Sequence, residues 1–219
     1  MKKSKILFFG DSVTDMGHNR EVENGNVYSY GHGFVFFVAG ELLSLAPEKY
    51  EVVNRGIAGN RIYDLYARIK KDVWNESPDV LTILIGINDV ESPWNNTGTD
   101  LGRWEKIYRM LIEETQERFP ETKIILCEPF CVYVDEVASR TFNWRTERIA
   151  RYRVLLEKFS SDYGCRIVWL HDKMNELAQK LGAQNVLYDG THPNIAGSKL
   201  IAEEWLKVFK SLEAETDRK

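Results

Sequence analysis

Ser12 lies in the stretch Gly10-Asp11-Ser12-Val13-Thr14-Asp15, directly after the apolar run Ile6-Leu7-Phe8-Phe9. A serine flanked by aspartates, without the glycines and lysine of a phosphate-binding loop, has the chemistry of a nucleophile in need of a base. The base candidate is His192, in Tyr188-Asp189-Gly190-Thr191-His192-Pro193-Asn194; His18 and His32 fall in an irregular loop, and His171 ends a strand-like run. Asp189, three residues before His192, lets one turn present both groups, with the carboxylate accepting from Nδ1–H and Nε2 facing outward to a serine. Donors for a developing oxyanion are available in two further stretches. They are the Gly59 N–H within Asn54-Arg55-Gly56-Ile57-Ala58-Gly59-Asn60 and the Asn88 amide within Gly86-Ile87-Asn88-Asp89, joined by the Ser12 N–H itself.

Each of these residues also has a plainer reading. Ser12 suits a helix N-cap, Gly59 a turn with positive φ, Asn88 a cap on the following turn, and Asp189-Gly190 a common turn dipeptide. Asp11, Asp15 and Asp89 raise the question of a divalent metal. The haloacid-dehalogenase arrangement needs a second aspartate two positions after the first, where this chain has Val13, and no HExxH or paired CxxC occurs. No metal is expected, and two carboxylates beside the loop would repel a bound phosphate.

The elements that must position these residues are legible in the hydrophobic pattern. Five short β-rich runs, Ile6–Phe9, Tyr50–Val53, Val80–Ile85, Lys123–Cys127 and Arg166–Leu170, alternate with helical patterns. The third and fourth are almost continuously apolar, as strands buried on both faces must be. Helical stripes run through Ile62, Leu65, Tyr66, Ile69 and Val73; through Leu101, Trp104, Tyr108, Leu111, Ile112, Thr115 and Phe119; through Ile149, Tyr152, Leu155, Leu156 and Phe159; and through Ile201, Trp205, Val208 and Phe209. Strand alternating with helix at this pitch predicts right-handed βαβ units in a flavodoxin-like three-layer α/β/α sandwich with a five-stranded parallel sheet. All four chemistry-bearing stretches then fall at the carboxyl edge of the sheet, where such folds bind ligands. The last helix is expected to start near Pro193. Met16 to Gly33, with four glycines and three asparagines, reads as a long loop beside the first strand's end.

The 219 residues fit a single domain spanning 1–219, with the charged stretch 210–219 as a frayed tail. A net charge of −4 lacks the basic footprint of a nucleic-acid binder. No stretch approaches the roughly 20 apolar residues of a membrane span, and Ile6–Phe9 is too short for a secretory h-region. The odd number of cysteines, three, argues against a disulfide framework, so a cytoplasmic protein is expected. Tyr28, Tyr30, Phe34, Phe36, Phe37, Trp94, Tyr133, Trp144 and Tyr188 fall in or beside loops at the predicted site edge. Such rings serve packing, sugar stacking or an interface between subunits, which leaves a homo-oligomer open.

With the four stretches in order, the chain resembles the SGNH (GDSL-type) hydrolases. The first block of that family resembles Gly10–Asp15, the second centres on Gly59, the third matches Gly86–Asp89 and the last Asp189–Pro193, with Val13 where leucine or isoleucine is usual. The resemblance implies Ser12 as nucleophile, His192 as base and then acid, Asp189 as its orienting partner, and an oxyanion hole of Ser12 N–H, Gly59 N–H and Asn88. It also implies no cofactor. Intracellular acetyl xylan esterases and related carbohydrate deacetylases are the most similar members. They imply a short-chain acyl ester as substrate, an acetylated sugar first. A lysophospholipase or thioesterase acting on longer chains is the alternative within the family. A flavodoxin-like module that binds a small ligand without turning it over is the alternative from another class.

Overall fold

The computed structural model describes residues 2–92 and 96–216. Strands β1 (Ser4–Gly10), β2 (Tyr50–Gly56), β3 (Val80–Leu84), β4 (Lys123–Cys127) and β5 (Arg166–Val168) form one parallel sheet in the order β2-β1-β3-β4-β5. This is the flavodoxin-like order, with its switch point between β1 and β3. Gly10 is level with Gly56 of β2 and with Leu84 of β3. Three carboxyl ends therefore stop at one line, and the chain leaves all three at the same edge.

Alternation along β1 divides the core into two layers. Ile6 and Phe8 face α2 (Phe34–Leu45) and α8 (Ile195–Thr216), while Leu7 and Phe9 face α3 (Ile62–Ile69), α4 (Leu101–Arg118) and α5 (Phe142–Tyr163). Trp205 of α8 is fully buried against Phe8, ring centroids 5.0 Å apart, and its indole N–H donates to Thr82 Oγ1 of β3 at 2.8 Å. A buried hydroxyl in mid-strand is thereby satisfied from the helix layer. On the opposite layer Trp104 stacks on Tyr152 at 4.1 Å and joins α4 to α5. Among the described residues no helix is long and apolar enough to cross a membrane.

The structure departs from the sequence pattern in four places. The segment Phe34–Leu45, all three of whose phenylalanines are expected in or beside loops, is helix α2. Its residues are apolar on most sides, so no stripe marks it, and Gly33 caps it without a side chain. Strand β5 stops at Val168, and His171 opens α6 (His171–Leu181) instead of ending a strand. Helix α8 starts at Ile195 and not at Pro193, which bridges Leu187 just after α7 (Ala183–Val186). The charged stretch from Lys210, expected as a frayed tail, is helical to Thr216. It is held because Leu212 packs on the core and Glu213 accepts hydrogen bonds from Tyr50 and Lys49. Residues 217–219 lie outside the described residues.

Candidate active site

Ser12 opens the one-turn helix α1 (Ser12–Asp15), and the N-cap of that helix is Asp11, whose carboxylate accepts from Val13 N at 3.0 Å. The capping duty that a serine after a strand would normally take is therefore met one residue earlier. Ser12 Oγ is left free to meet His192 Nε2 at 2.7 Å, across 180 residues of sequence. On the far side of the imidazole, Nδ1 is 2.6 Å from Asp189 Oδ2. The second carboxylate oxygen of Asp189 accepts from the Thr191 and His192 backbone N–H groups at 3.0 and 2.8 Å. The carboxylate thus folds its own turn and orients the ring with separate oxygens.

The turn needs glycine at position 190. Its φ is +82°, and a Cβ there would lie 2.7 Å from Val132 O. Burial alone would raise the Asp189 carboxyl, but the hydrogen bonds from the His192 ring and the two backbone N–H groups hold it down at about 2. The same hydrogen bond to Asp189 raises the His192 imidazole above its usual value, against the opposing effect of burial. Asp11, fully buried, is pushed up to about 7 by desolvation, with Val13 N–H and His192 pulling it down and Asp89 adding to the rise.

The other two blocks reach the same edge. Gly59 stands exposed in the turn after β2 with φ +78°. Asn88, in the 3₁₀ turn after β3, donates one amide N–H to Asn60 O at 3.0 Å, which leaves its second N–H for a ligand. Asp89 is buried and accepts from Ile62 N through both oxygens at 3.2 Å. Asp15 accepts from Ala58 N at 2.9 Å and pairs with His18 at 2.9 Å. The aspartates around Ser12 therefore anchor loops. Asp15 and His18 repeat the spacing of Asp189 and His192, yet His18 is buried and its Nε2 meets no hydrogen-bond partner among the described residues. Spacing alone does not separate the two pairs; the serine does.

Sequence reading does not anticipate the supports of this edge. Arg68 of α3 donates to Gly10 O (2.9 Å), Arg55 O (2.8 Å), Asn60 Oδ1 (2.7 Å) and Asp72 (2.6 Å). It joins the ends of β1 and β2 to the loop that holds Asn88. Asn54, buried at the end of β2, donates to Thr14 O and Tyr30 O and ties the long loop after α1 to the sheet. The spacing of Arg68 and Asp72, four residues apart on a helix, is the one signal that points to the first of these. Of the aromatics expected at the edge, Tyr30 and Phe34 are buried in the core, while Tyr188 is exposed and lies parallel to the His192 ring at 5.5 Å. Trp94 lies outside the described residues.

Residues 8–200 match the GDSL-like Lipase/Acylhydrolase family. An acetylxylan esterase of Geobacillus stearothermophilus is 32% identical over 212 residues, which are 93% of this chain and 92% of that protein. Its crystal structure superposes with a TM-score of 0.82 at 31% identity, covering 93% of both chains. A Parabacteroides merdae protein classed as a GDSL-like lipase gives a TM-score of 0.83 at 31% identity over 95% of this chain and 96% of its own. The Geobacillus esterase has also been crystallised as catalytic mutants in which a serine, an aspartate and a histidine are each replaced by alanine, the aspartate three positions before the histidine. On the family match and the shared identity, the chain belongs to the GDSL-like lipase/acylhydrolase family and is a carboxylic ester hydrolase.

Proposed function

We propose that this hydrolase removes short acyl groups, acetyl above all, from a carbohydrate through an acyl-enzyme on Ser12. The observation that carries the reading is the continuous hydrogen-bonded line Asp189–His192–Ser12, 2.6 and 2.7 Å, at the switch point of the sheet. Ser12 Oγ attacks the ester carbonyl carbon while its proton passes to His192 Nε2. The carbonyl oxygen, now negative, is received by Ser12 N–H, Gly59 N–H and the free N–H of Asn88. As the intermediate collapses, the C–O bond to the alcohol breaks and His192 returns the proton to the leaving oxygen. Water, deprotonated by the same imidazole, then releases the carboxylic acid and restores Ser12. The reaction requires no cofactor.

The sugar reading is supported by the likeness to the Geobacillus acetylxylan esterase, described also as an acetyl-xylooligosaccharide esterase. The exposed ring of Tyr188 beside His192 offers a surface on which a sugar can stack. Intact-mass measurement after fluorophosphonate treatment tests the mechanism: one adduct on the wild type and none on Ser12→Ala. On p-nitrophenyl esters, acetate is cleaved much faster than octanoate, and acetylated xylo-oligosaccharides are deacetylated; faster octanoate turnover would transfer the reading to a longer-chain acylhydrolase. Asn88→Ala lowers kcat by about 10² to 10³-fold with KM little changed, since the amide is needed chiefly when charge develops on the oxygen. Steady-state kinetics on the acetate ester decide this.

A further inference from the structure

The loop carrying Asp189 and His192 is braced from one side by the chain between β4 and α5. Val132 N donates to Gly190 O at 3.0 Å, and Val134 N to Ser139 Oγ at 2.8 Å. From the first turn of α5, Arg145 Nη1 donates to Thr191 Oγ1 at 2.5 Å. Thr191 is 4% exposed and sits inside the turn, next to His192. The other arginines of this helix, Arg148, Arg151 and Arg153, each end on a carboxylate, Glu91, Glu147 and Glu128. Arg145 ends on a hydroxyl. It is half-buried, and desolvation already weakens its hold on its proton. What offsets the cost of drawing this guanidinium out of water is the Asp189 carboxylate, whose charge favours the cation, so Arg145 stands within electrostatic range of the Asp189–His192 pair.

We propose that Arg145 is a positioning residue for the His192 base, acting through Thr191 and through its own fixed charge. The inference rests on the reading of His192 as general base. Among the described residues, Asp189, Asp11 and Arg145 are the charged groups that act most on the imidazole. Asp189, on the same loop, accepts from Nδ1 and favours the protonated ring; Asp11, the cap of α1, favours it through space; Arg145, from α5, opposes it. With no cation opposing it, the Asp189 carboxylate, joined by Asp11 where that group is ionised, would keep His192 protonated to higher pH, and a protonated Nε2 cannot accept the Ser12 proton. With Arg145 in place, the ring keeps the orientation set by Asp189 and still reaches its neutral, basic form lower on the pH scale.

The test is kcat/KM for p-nitrophenyl acetate against pH in wild type, Arg145→Gln, Arg145→Lys and Thr191→Val. Glutamine keeps a donor for Thr191 and removes the charge. Its acid limb moves to higher pH by about half a unit or more, which is about threefold less activity on the acid side. Arg145→Lys restores the charge and returns the limb toward wild type. Thr191→Val keeps the charge and removes the contact, so kcat falls by about threefold to tenfold at an unmoved limb, by the misplacement of a base with KM little changed. A purely structural role for Arg145 would alter thermal stability and leave every limb in place. Fluorophosphonate labelling of the wild type separates the two levels of failure. No adduct on Ser12 removes the base reading and the Arg145 role with it; an adduct on Ser12 with an Arg145→Gln limb coincident with wild type overturns the Arg145 assignment alone.

Discussion

Ser12→Ala lowers kcat for acetyl ester hydrolysis by about 10⁴-fold or more while leaving the melting temperature within a few degrees of wild type. The size follows from the proposed role of Ser12 as the group that forms the acyl-enzyme, after whose loss only oxyanion stabilisation and substrate binding would remain. The second half of the result depends on a local detail. A serine serving as N-cap would take about 1 kcal/mol with it on replacement. Here the cap is Asp11, bonded to Val13 N, so the Ser12 side chain can be removed without unfastening α1. His192→Ala lowers kcat to a similar degree, because nucleophile and base act as one unit. Steady-state kinetics with parallel thermal melts check both statements. A Ser12→Ala protein that is well folded and retains more than about a hundredth of wild-type kcat would mean that Oγ is not the nucleophile.

The site is legible in the sequence because its members are set by short-range patterns at strand ends. Leu7, Leu81 and Leu126 belong to runs that can only be central strands, and once these are parallel, the segments leaving their carboxyl ends must share an edge. Ser12, Gly59 and Asn88 then come together by topology, and Asp189 with His192 by a single turn. The cap at Asp11 is harder to read, since Asp and Ser are equally good caps and only the dihedral angles show which residue stands outside the helix. Helix α2 is hidden by an excess of apolar residues. Phe34, Val35, Val38, Ala39 and Leu42 are buried while Phe36 and Leu45 are exposed, and residues of the same kind on both sides leave no periodic contrast. Pro193 has the makings of a helix opener, but its neighbours use it in a bridge to Leu187, two residues before α8. The Arg68 and Arg145 contacts are out of reach for a different reason. Arg68 meets Gly10 across 58 residues and Arg145 meets Thr191 across 46, and nothing in a local window states which arginine of a charged helix turns inward.

Asp189→Asn lowers kcat by about 10³ to 10⁴-fold, almost as much as removal of the base, although it exchanges one oxygen for an NH₂. The two carboxylate oxygens have separate duties, and the substitution divides them. Oδ1 accepts from the Thr191 and His192 backbone N–H groups, and an asparagine carbonyl does this equally well, so the turn stays folded. The amide nitrogen then occupies the place of Oδ2, 2.6 Å from Nδ1. It can only donate, so Nδ1 must accept and the ring proton moves to Nε2. That tautomer presents an N–H to Ser12 Oγ and cannot take its proton. The imidazole also loses the carboxylate that raises its affinity for a proton, so the acid limb of kcat/KM moves to lower pH even as the plateau falls. Asp189→Ala gives a different signature: both oxygens are lost, the turn loosens, and thermal stability drops along with kcat. Kinetics across pH together with thermal melts of the two variants distinguish these outcomes. An Asp189→Asn enzyme within about tenfold of wild-type kcat would show that the tautomer of His192 is set by some group other than Asp189.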